Sequence, residues 1–150
     1  MATSLVKVLV HIVFSTWRRT PFIDAALQAD LYPYMATIIS QRGATLVAIG
    51  GIADHVHILL RLRSDQKLAD IVRATKAISS KWIHERPESI PAFAWQEGYA
   101  AFSVSVSQED VVRSYILNQE AHHRRVKFEG EMMGLLKRHK VDFDPNRLFD

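Results

Sequence analysis

The chain contains no cysteine. Disulfides, thiolate zinc sites and a cysteine nucleophile are therefore excluded. No apolar run reaches the roughly 18 residues that a membrane-spanning helix needs. The most apolar early segment, Leu5 to Phe14, carries Lys7 and His11 and runs into Trp17-Arg18-Arg19. It makes a poor secretory signal and a good buried strand. The expectation is a cytoplasmic protein with no membrane partner. Glycine is scarce, six in 150 residues. No Gly-x-x-x-x-Gly-Lys loop is present to cradle a nucleoside triphosphate. Internal repeats, low-complexity tracts and long linkers are also missing.

What is present suits a folded domain. Hydrophobic residues make up 48% of the chain and charged residues 23%, a balance that excludes global disorder. The length suits one domain over residues 1–150, with a core over about 1–128 and a C-terminal helix and tail over 129–150. The net charge of +3 is mild, but its distribution is uneven. From Arg113 to Lys140 seven basic residues face three acids, which accounts for the whole excess. Such a stretch is either a solvated helix face or a footprint for an acidic partner.

Periodicity and punctuation predict the elements. Leu5 to Ser15 reads as a strand. Asp24 caps a helix to about Gln41, with Leu27, Leu31, Tyr34, Ile38 and Ile39 at helical spacing, and Arg42-Gly43 ends it. Ala44 to Ile49 is a second strand. Gly50-Gly51 and Asp54 punctuate, and His55 to Leu62 is a third strand, its hairpin partner. A helix follows from about Lys67 to His84. Phe102 to Val106 alternates as a fourth strand. Ser107 with Asp110 resembles a capping box opening a long helix to about Phe128. Gly130 breaks it before a shorter helix to about His139, and Val141 to Asp150 is an irregular tail. The class is α+β, in the order β-α-β-β-α-β with added C-terminal helices. That is the ferredoxin-like order, shared with RNA-recognition modules, and it places the outer strands mid-sheet with two helices on one face.

Two constellations carry chemistry. In Asp54-His55-Val56-His57, alternation projects both imidazoles from one face about 7 Å apart, while Val56 points into the core. Two imidazoles so placed can hold one divalent cation. They equally suit a solvated sheet face. In Tyr115-Ile-Leu-Asn-Gln119, a spacing of four puts both side chains on one helix face. Gln119 offers a neutral carbonyl oxygen and Tyr115 a phenolic oxygen able to act as nucleophile. A core tyrosine beside a surface glutamine is the plainer alternative.

Taken together, the two constellations resemble the HUH single-tyrosine transposases of bacterial insertion sequences and their REP-associated relatives. The resemblance extends to His11-Ile-Val-Phe-Ser-Thr-Trp-Arg-Arg19, Ala53-Asp-His-Val-His-Ile-Leu-Leu60, Trp95-Gln-Glu-Gly-Tyr-Ala-Ala-Phe-Ser-Val104 and Tyr115-Ile-Leu-Asn-Gln-Glu-Ala-His-His123. It implies a metal-dependent enzyme that cleaves and rejoins single-stranded DNA through a 5′-phosphotyrosine link, without ATP. His55, His57 and Gln119 would hold Mg²⁺ or Mn²⁺, and Tyr115 would attack. The implied partners are single-stranded DNA with hairpin ends and a second copy of the chain. A homodimer is the expectation, with a monomer as the REP-associated alternative.

Arg18, Arg19, Arg73, Lys76, Arg124, Arg125 and Lys127 are candidate DNA phosphate contacts. Trp17 is a candidate for base stacking, although packing is its commoner role. His122 or His123 shares the face of Gln119. His11 reads as structural. Two other functions remain in competition. One is a non-catalytic single-strand-binding module that presents Tyr99 and Phe102 on an open sheet. The other is a hydrolase that uses water at the histidine pair.

Overall fold

The computed structural model describes residues 3–147. Four strands form one antiparallel sheet: β1 (Val8–Ser15), β2 (Thr45–Ile52), β3 (His55–Leu62) and β4 (Ala100–Val104). Their spatial order is β2-β3-β1-β4. The ferredoxin-like arrangement is present, with one correction. The central strands are β1 and β3, not the first and last. The β2–β3 hairpin occupies one edge of β1, so β4 can pair only with the other and becomes the sheet edge.

Alternation divides the two faces. From β1 and β3, Val10, Ile12, Phe14, Val56, Ile58 and Leu60 enter the larger core. Helices α1 (Ala25–Gln41) and α2 (Leu68–Glu85) cover that face. Asp24 caps α1 as its position predicts, accepting a hydrogen bond from the Leu27 amide at 2.8 Å. Gly43 ends it with φ at 86°, a conformation that glycine adopts without a Cβ penalty. The other residues of β1 and β3, namely Leu9, His11, Val13, His55, His57 and Leu59, face the opposite way.

Three short helices cover this second face: α3 (Glu109–Leu117), α4 (Gln119–His123) and α5 (Phe128–Arg138). The expected single long helix is broken at Asn118 and again over 124–127. The break expected at Gly130 does not occur, and α5 runs through it. The capping box does not form either. Ser107 is spent on a hydrogen bond to Ser105, and α3 starts without a side-chain cap. Ile116 packs on Leu9, Ala48 and Leu59, while Phe128, Met132, Leu135 and Leu136 of α5 pack on Val13 and Phe102.

The two glycines expected to end the second strand lie inside β2. Gly50 stands opposite His57. A Cβ there would lie 2.1 Å from the Ile116 carbonyl oxygen. Glycine is therefore what lets α3 rest on the sheet beside the histidines. β1 begins at Val8, and Leu5 is exposed. Residues 141–147 are irregular as expected, and the end of the expected tail lies outside the described residues. Among the described residues no helix is long and apolar enough to cross a membrane.

Candidate metal and tyrosine site

His55 and His57 share the face that α3–α5 cover, and both are 0% exposed. That burial removes the solvated-face reading, because a buried imidazole needs partners. His55 Nδ1 meets Asp54 Oδ1 at 2.7 Å, which turns Nε2 inward. There Nε2 lies 3.2 Å from Gln119 Oε1 and 3.4 Å from Glu131 Oε1. His57 Nε2–H donates to Glu131 Oε1 at 2.9 Å, and its Nδ1 pairs with His11 Nε2 at 2.8 Å. His11 is therefore more than packing. It sits diagonally from His57 across the β1–β3 ladder and sets the ring's tautomer.

The helices close the site from above. Tyr115 of α3 is half-buried, with its ring edge-on to His57 at 5.6 Å between centroids. Its hydroxyl donates to Glu131 Oε2. Gln119, at the start of α4, is buried, and its Oε1 also meets His123 Nε2 at 2.9 Å. His123 Nε2 lies 3.1 Å from Glu131 Oε1 as well. Tyr115 and Gln119 stay together despite the break at Asn118, because the Gln119 amide still reaches the Tyr115 carbonyl at 3.4 Å. Glu131 is the contact missed in sequence. One carboxylate oxygen faces the imidazoles and the other faces the phenol.

Donor atoms of His55, His57, His123 and Glu131 lie within 4.8 Å of one another. This set fits a divalent metal ion. Neutral imidazole and carboxylate are ordinary ligands, the ion would balance a buried carboxylate, and Asp54 and His11 supply outer hydrogen bonds. His122 Nε2 adds a buried nitrogen 3.2 Å from Glu131 Oε2, but it is not aligned for a hydrogen bond.

The electrostatics follow from the contacts. Burial alone would lower His55, but hydrogen bonds to Asp54 and Glu131 outweigh it and raise its pKa to about 9. Burial dominates at His57, bringing it down to about 4 against the pull of Glu131. His55 has two carboxylate neighbours and His57 one, which is why the pair diverges. Burial and the neighbouring His57 bring His11 down to about 3. Burial would raise Glu131, yet hydrogen bonds from His123, His55 and His57 hold it far below the usual carboxylate range. Burial, then the bond to Glu131, pushes the Tyr115 phenol well above its ordinary value, and the charge of Arg138 opposes this.

The proposed phosphate contacts are not gathered into one strip. Arg18 and Arg19 follow Trp17 in a single 3-10 turn, both with positive φ. Arg18 lies over the exposed Trp17 ring, and Arg19 Nε pairs with Glu129 Oε1 of α5 at 2.5 Å. Arg124, Arg125 and Lys127 are exposed on the α4–α5 turn, Arg124 within 3.8 Å of Glu120. These two groups flank the N-terminal end of α5. Arg73 and Lys76 lie on α2, across the sheet from the histidines. Arg73 pairs with Asp70, and Lys76 donates to the Gly98 carbonyl at 2.5 Å. Among the described residues the sheet presents no open aromatic face of the kind a base-stacking module uses. Phe102 is buried and stacked on His139 at 4.4 Å between centroids.

A ferredoxin-like sheet with a His-x-His strand beneath a helix-borne tyrosine defines an HUH-type enzyme with a candidate divalent-metal centre. Residues 4–119 match the family described as IS200-like transposase. The chain belongs to that family. Among solved structures, it is similar to a candidate transposase from Deinococcus radiodurans R1, with 24% identity and a TM-score of 0.63 over 79% of this chain and 95% of that one. It is also similar to a REP-associated tyrosine transposase bound to a REP hairpin, with 13% identity and a TM-score of 0.64 over 84% of this chain and 74% of that one. No curated protein matches the chain.

Proposed function

We propose that the protein cleaves and rejoins single-stranded DNA at the ends of a DNA element, with Tyr115 as nucleophile. The observation that carries the reading is the Tyr115 hydroxyl bound to a carboxylate that also touches the buried histidines. Tyr115 Oη gives up its proton and bonds to the phosphorus, the bond to the 3′-oxygen breaks, and that leaving oxygen takes up a proton. The DNA 5′-phosphate is then held on the tyrosine, and the leaving strand carries a free 3′-hydroxyl. Attack by a 3′-hydroxyl from another end reverses the step, restores a phosphodiester and returns the phenol. The bond count is conserved throughout, so no ATP is required.

The chain's own residues have separable roles. Asp54 and His11 orient His55 and His57. Glu131, held far below the ordinary carboxylate range, is a weak base, and its part is to orient the phenol. His55 and His57 would hold the metal with Gln119 or with His123 and Glu131. When bound, the ion would neutralise charge that grows on the phosphate oxygens. Magnesium prefers oxygen ligands, so a site this rich in imidazole favours Mn²⁺ over Mg²⁺.

Within one chain Tyr115 lies against its own histidine pair, an arrangement that supports a site completed by a single chain. α5 brings Glu131 to that same site, which supports reading the core and the C-terminal helix as one domain. The substrate is single-stranded DNA beside a hairpin, a reading supported by family membership and by the hairpin-bound relative. The test is a covalent-adduct gel, using labelled single-stranded DNA from the protein's own locus with and without Mn²⁺. A metal-dependent adduct that disappears in Tyr115→Phe is the expected result. An adduct that persists in Tyr115→Phe removes the tyrosine from the reaction, and cut DNA with no attached protein would favour water as nucleophile.

A further inference from the structure

A groove of about 470 Å³ opens beside Tyr115, between β4, α3 and the last turn of α5. Its volume lies in the range of small-ligand pockets, room for about one nucleotide. Its polar wall is Ser103, Ser105, Gln108, Arg138 and His139, and no acidic side chain lines it. Val111, one helical turn before Tyr115 and exposed, adds an apolar patch suited to a sugar or base.

Arg138 gives the groove its sign. It is exposed, it has no ion pair among the described residues, and α5 places it close enough for its charge to act on the phenol. Arg19, Arg73 and Arg124 each have a carboxylate partner, and Arg138 is the arginine that lines the groove beside Tyr115. A guanidinium held without a carboxylate beside a nucleophile matches a phosphate, whose oxygens accept its forked donors. His139 is fixed next to it by its stack on Phe102 and by the hydrogen bond from Nδ1 to the Leu135 carbonyl.

We propose that this groove seats the DNA backbone adjoining the phosphate that Tyr115 attacks, with Arg138 as a phosphate-binding positioning residue. The inference rests on the reading of Tyr115 as nucleophile. A contact of this kind reduces DNA affinity about 10-fold or more when removed. It also carries a salt signature, because each single-strand phosphate contact contributes about 0.7 to the slope of log K against log salt.

The experiment uses the full chain with Tyr115→Phe, so that binding is read without cleavage. Fluorescence anisotropy on labelled single-stranded DNA is followed across KCl concentrations for Arg138→Ala, Arg138→Lys and Lys137→Ala. Expected are a loss of about 10-fold and a slope smaller by about 0.7 for Arg138→Ala. Arg138→Lys should keep the slope while losing part of the affinity. Lys137→Ala, on the same turn but outside the groove, should change affinity less than Arg138→Ala. A methylphosphonate walked along the DNA should weaken the Arg138 protein at one position next to the cleavage site. Arg138→Ala should be indifferent to neutralisation there.

An unchanged salt slope in Arg138→Ala, or the same sensitivity as the parent at every methylphosphonate position, overturns the groove. If the protein that retains Tyr115 forms no covalent adduct, the nucleophile reading fails while the binding data still decide the groove. If the parent forms an adduct and Arg138→Ala binds and cleaves like it, the groove fails and the nucleophile reading stands.

Discussion

Gly50→Ala tests how closely the tyrosine helix must approach the histidine strand. Gly50 lies opposite His57, and its missing Cβ leaves room for the Ile116 carbonyl, one residue after Tyr115. An added methyl would start 2.1 Å from that oxygen and 3.2 Å from Ile116 Cγ2, whereas ordinary contact begins near 3.4 Å. About 1.3 Å of new separation is therefore required. β2 is an edge strand, but it is hydrogen-bonded along its length to β3, whereas α3 is a short helix resting on the sheet, so the helix should yield. Such overpacking costs about 1–3 kcal/mol of stability. A displacement of about 1 Å at a reacting group can lower the rate about 100-fold. The assay pairs single-turnover adduct formation with calorimetric Mn²⁺ binding. The rate should fall steeply while metal affinity stays close to that of the parent. Gly134→Ala on α5, where a Cβ meets nothing within 4 Å, is the control and should stabilise by about 0.5–1 kcal/mol. Adduct formation at the parental rate would refute the reasoning. So would an equal loss of metal affinity, which would mean that β2 moves rather than α3.

Other expectations follow from the same contacts. Asp54→Ala frees His55 Nδ1 and should weaken Mn²⁺ binding about 10- to 100-fold, read by calorimetry; parental affinity would remove Asp54 from the site. On the reading that each chain completes its own site, mixing Tyr115→Phe with His57→Ala protein should not restore adduct formation, and recovery in the mixture would establish sharing between chains. In chelator, stability should peak near pH 6.5. His55 is raised to about 9, so its contribution is fully present below 6.5 and is lost as pH rises toward 9. His57 and His11 are lowered to about 4 and 3, so below 6.5 the unfolded chain takes up protons that the fold refuses. Urea unfolding between pH 6.5 and 8 isolates His55, because Lys76, lowered by burial to about 8, is still protonated over most of that range. A rise in stability over that window would contradict the contacts assigned to His55.

Strands and helices whose period is local were legible in the sequence. His55 to Leu62 matches β3 at both ends, and Asp24 marks the start of α1. The spacing of His55 with His57 and that of Tyr115 with Gln119 were legible too, because alternation and the helical turn act between near neighbours; that the two pairs belong together was implied only by the family resemblance. The sequence reading went wrong where packing overrode local preference. Gly50 and Gly51 look like punctuation, yet they lie inside β2, where a Cβ on Gly50 would meet the Ile116 carbonyl of α3 and one on Gly51 the His55 carbonyl of β3. Asn118 carries no strong break signal, but α3 and α4 part there to lay Tyr115 and Gln119 on one site.

The sequence by itself determined the fold class and the face on which the histidines stand, because both depend on periodicity over a few residues, while the candidate nucleophile came from the family resemblance. Only the tertiary structure decided that these histidines are buried, that His11 holds His57 from 46 residues away and that Glu131 reaches it from 74. Contacts at such separations are set by how helices dock on the sheet. A glutamate in a mixed-charge helix looks like any solvated acid until α5 carries it among imidazoles and a phenol that make its burial tolerable.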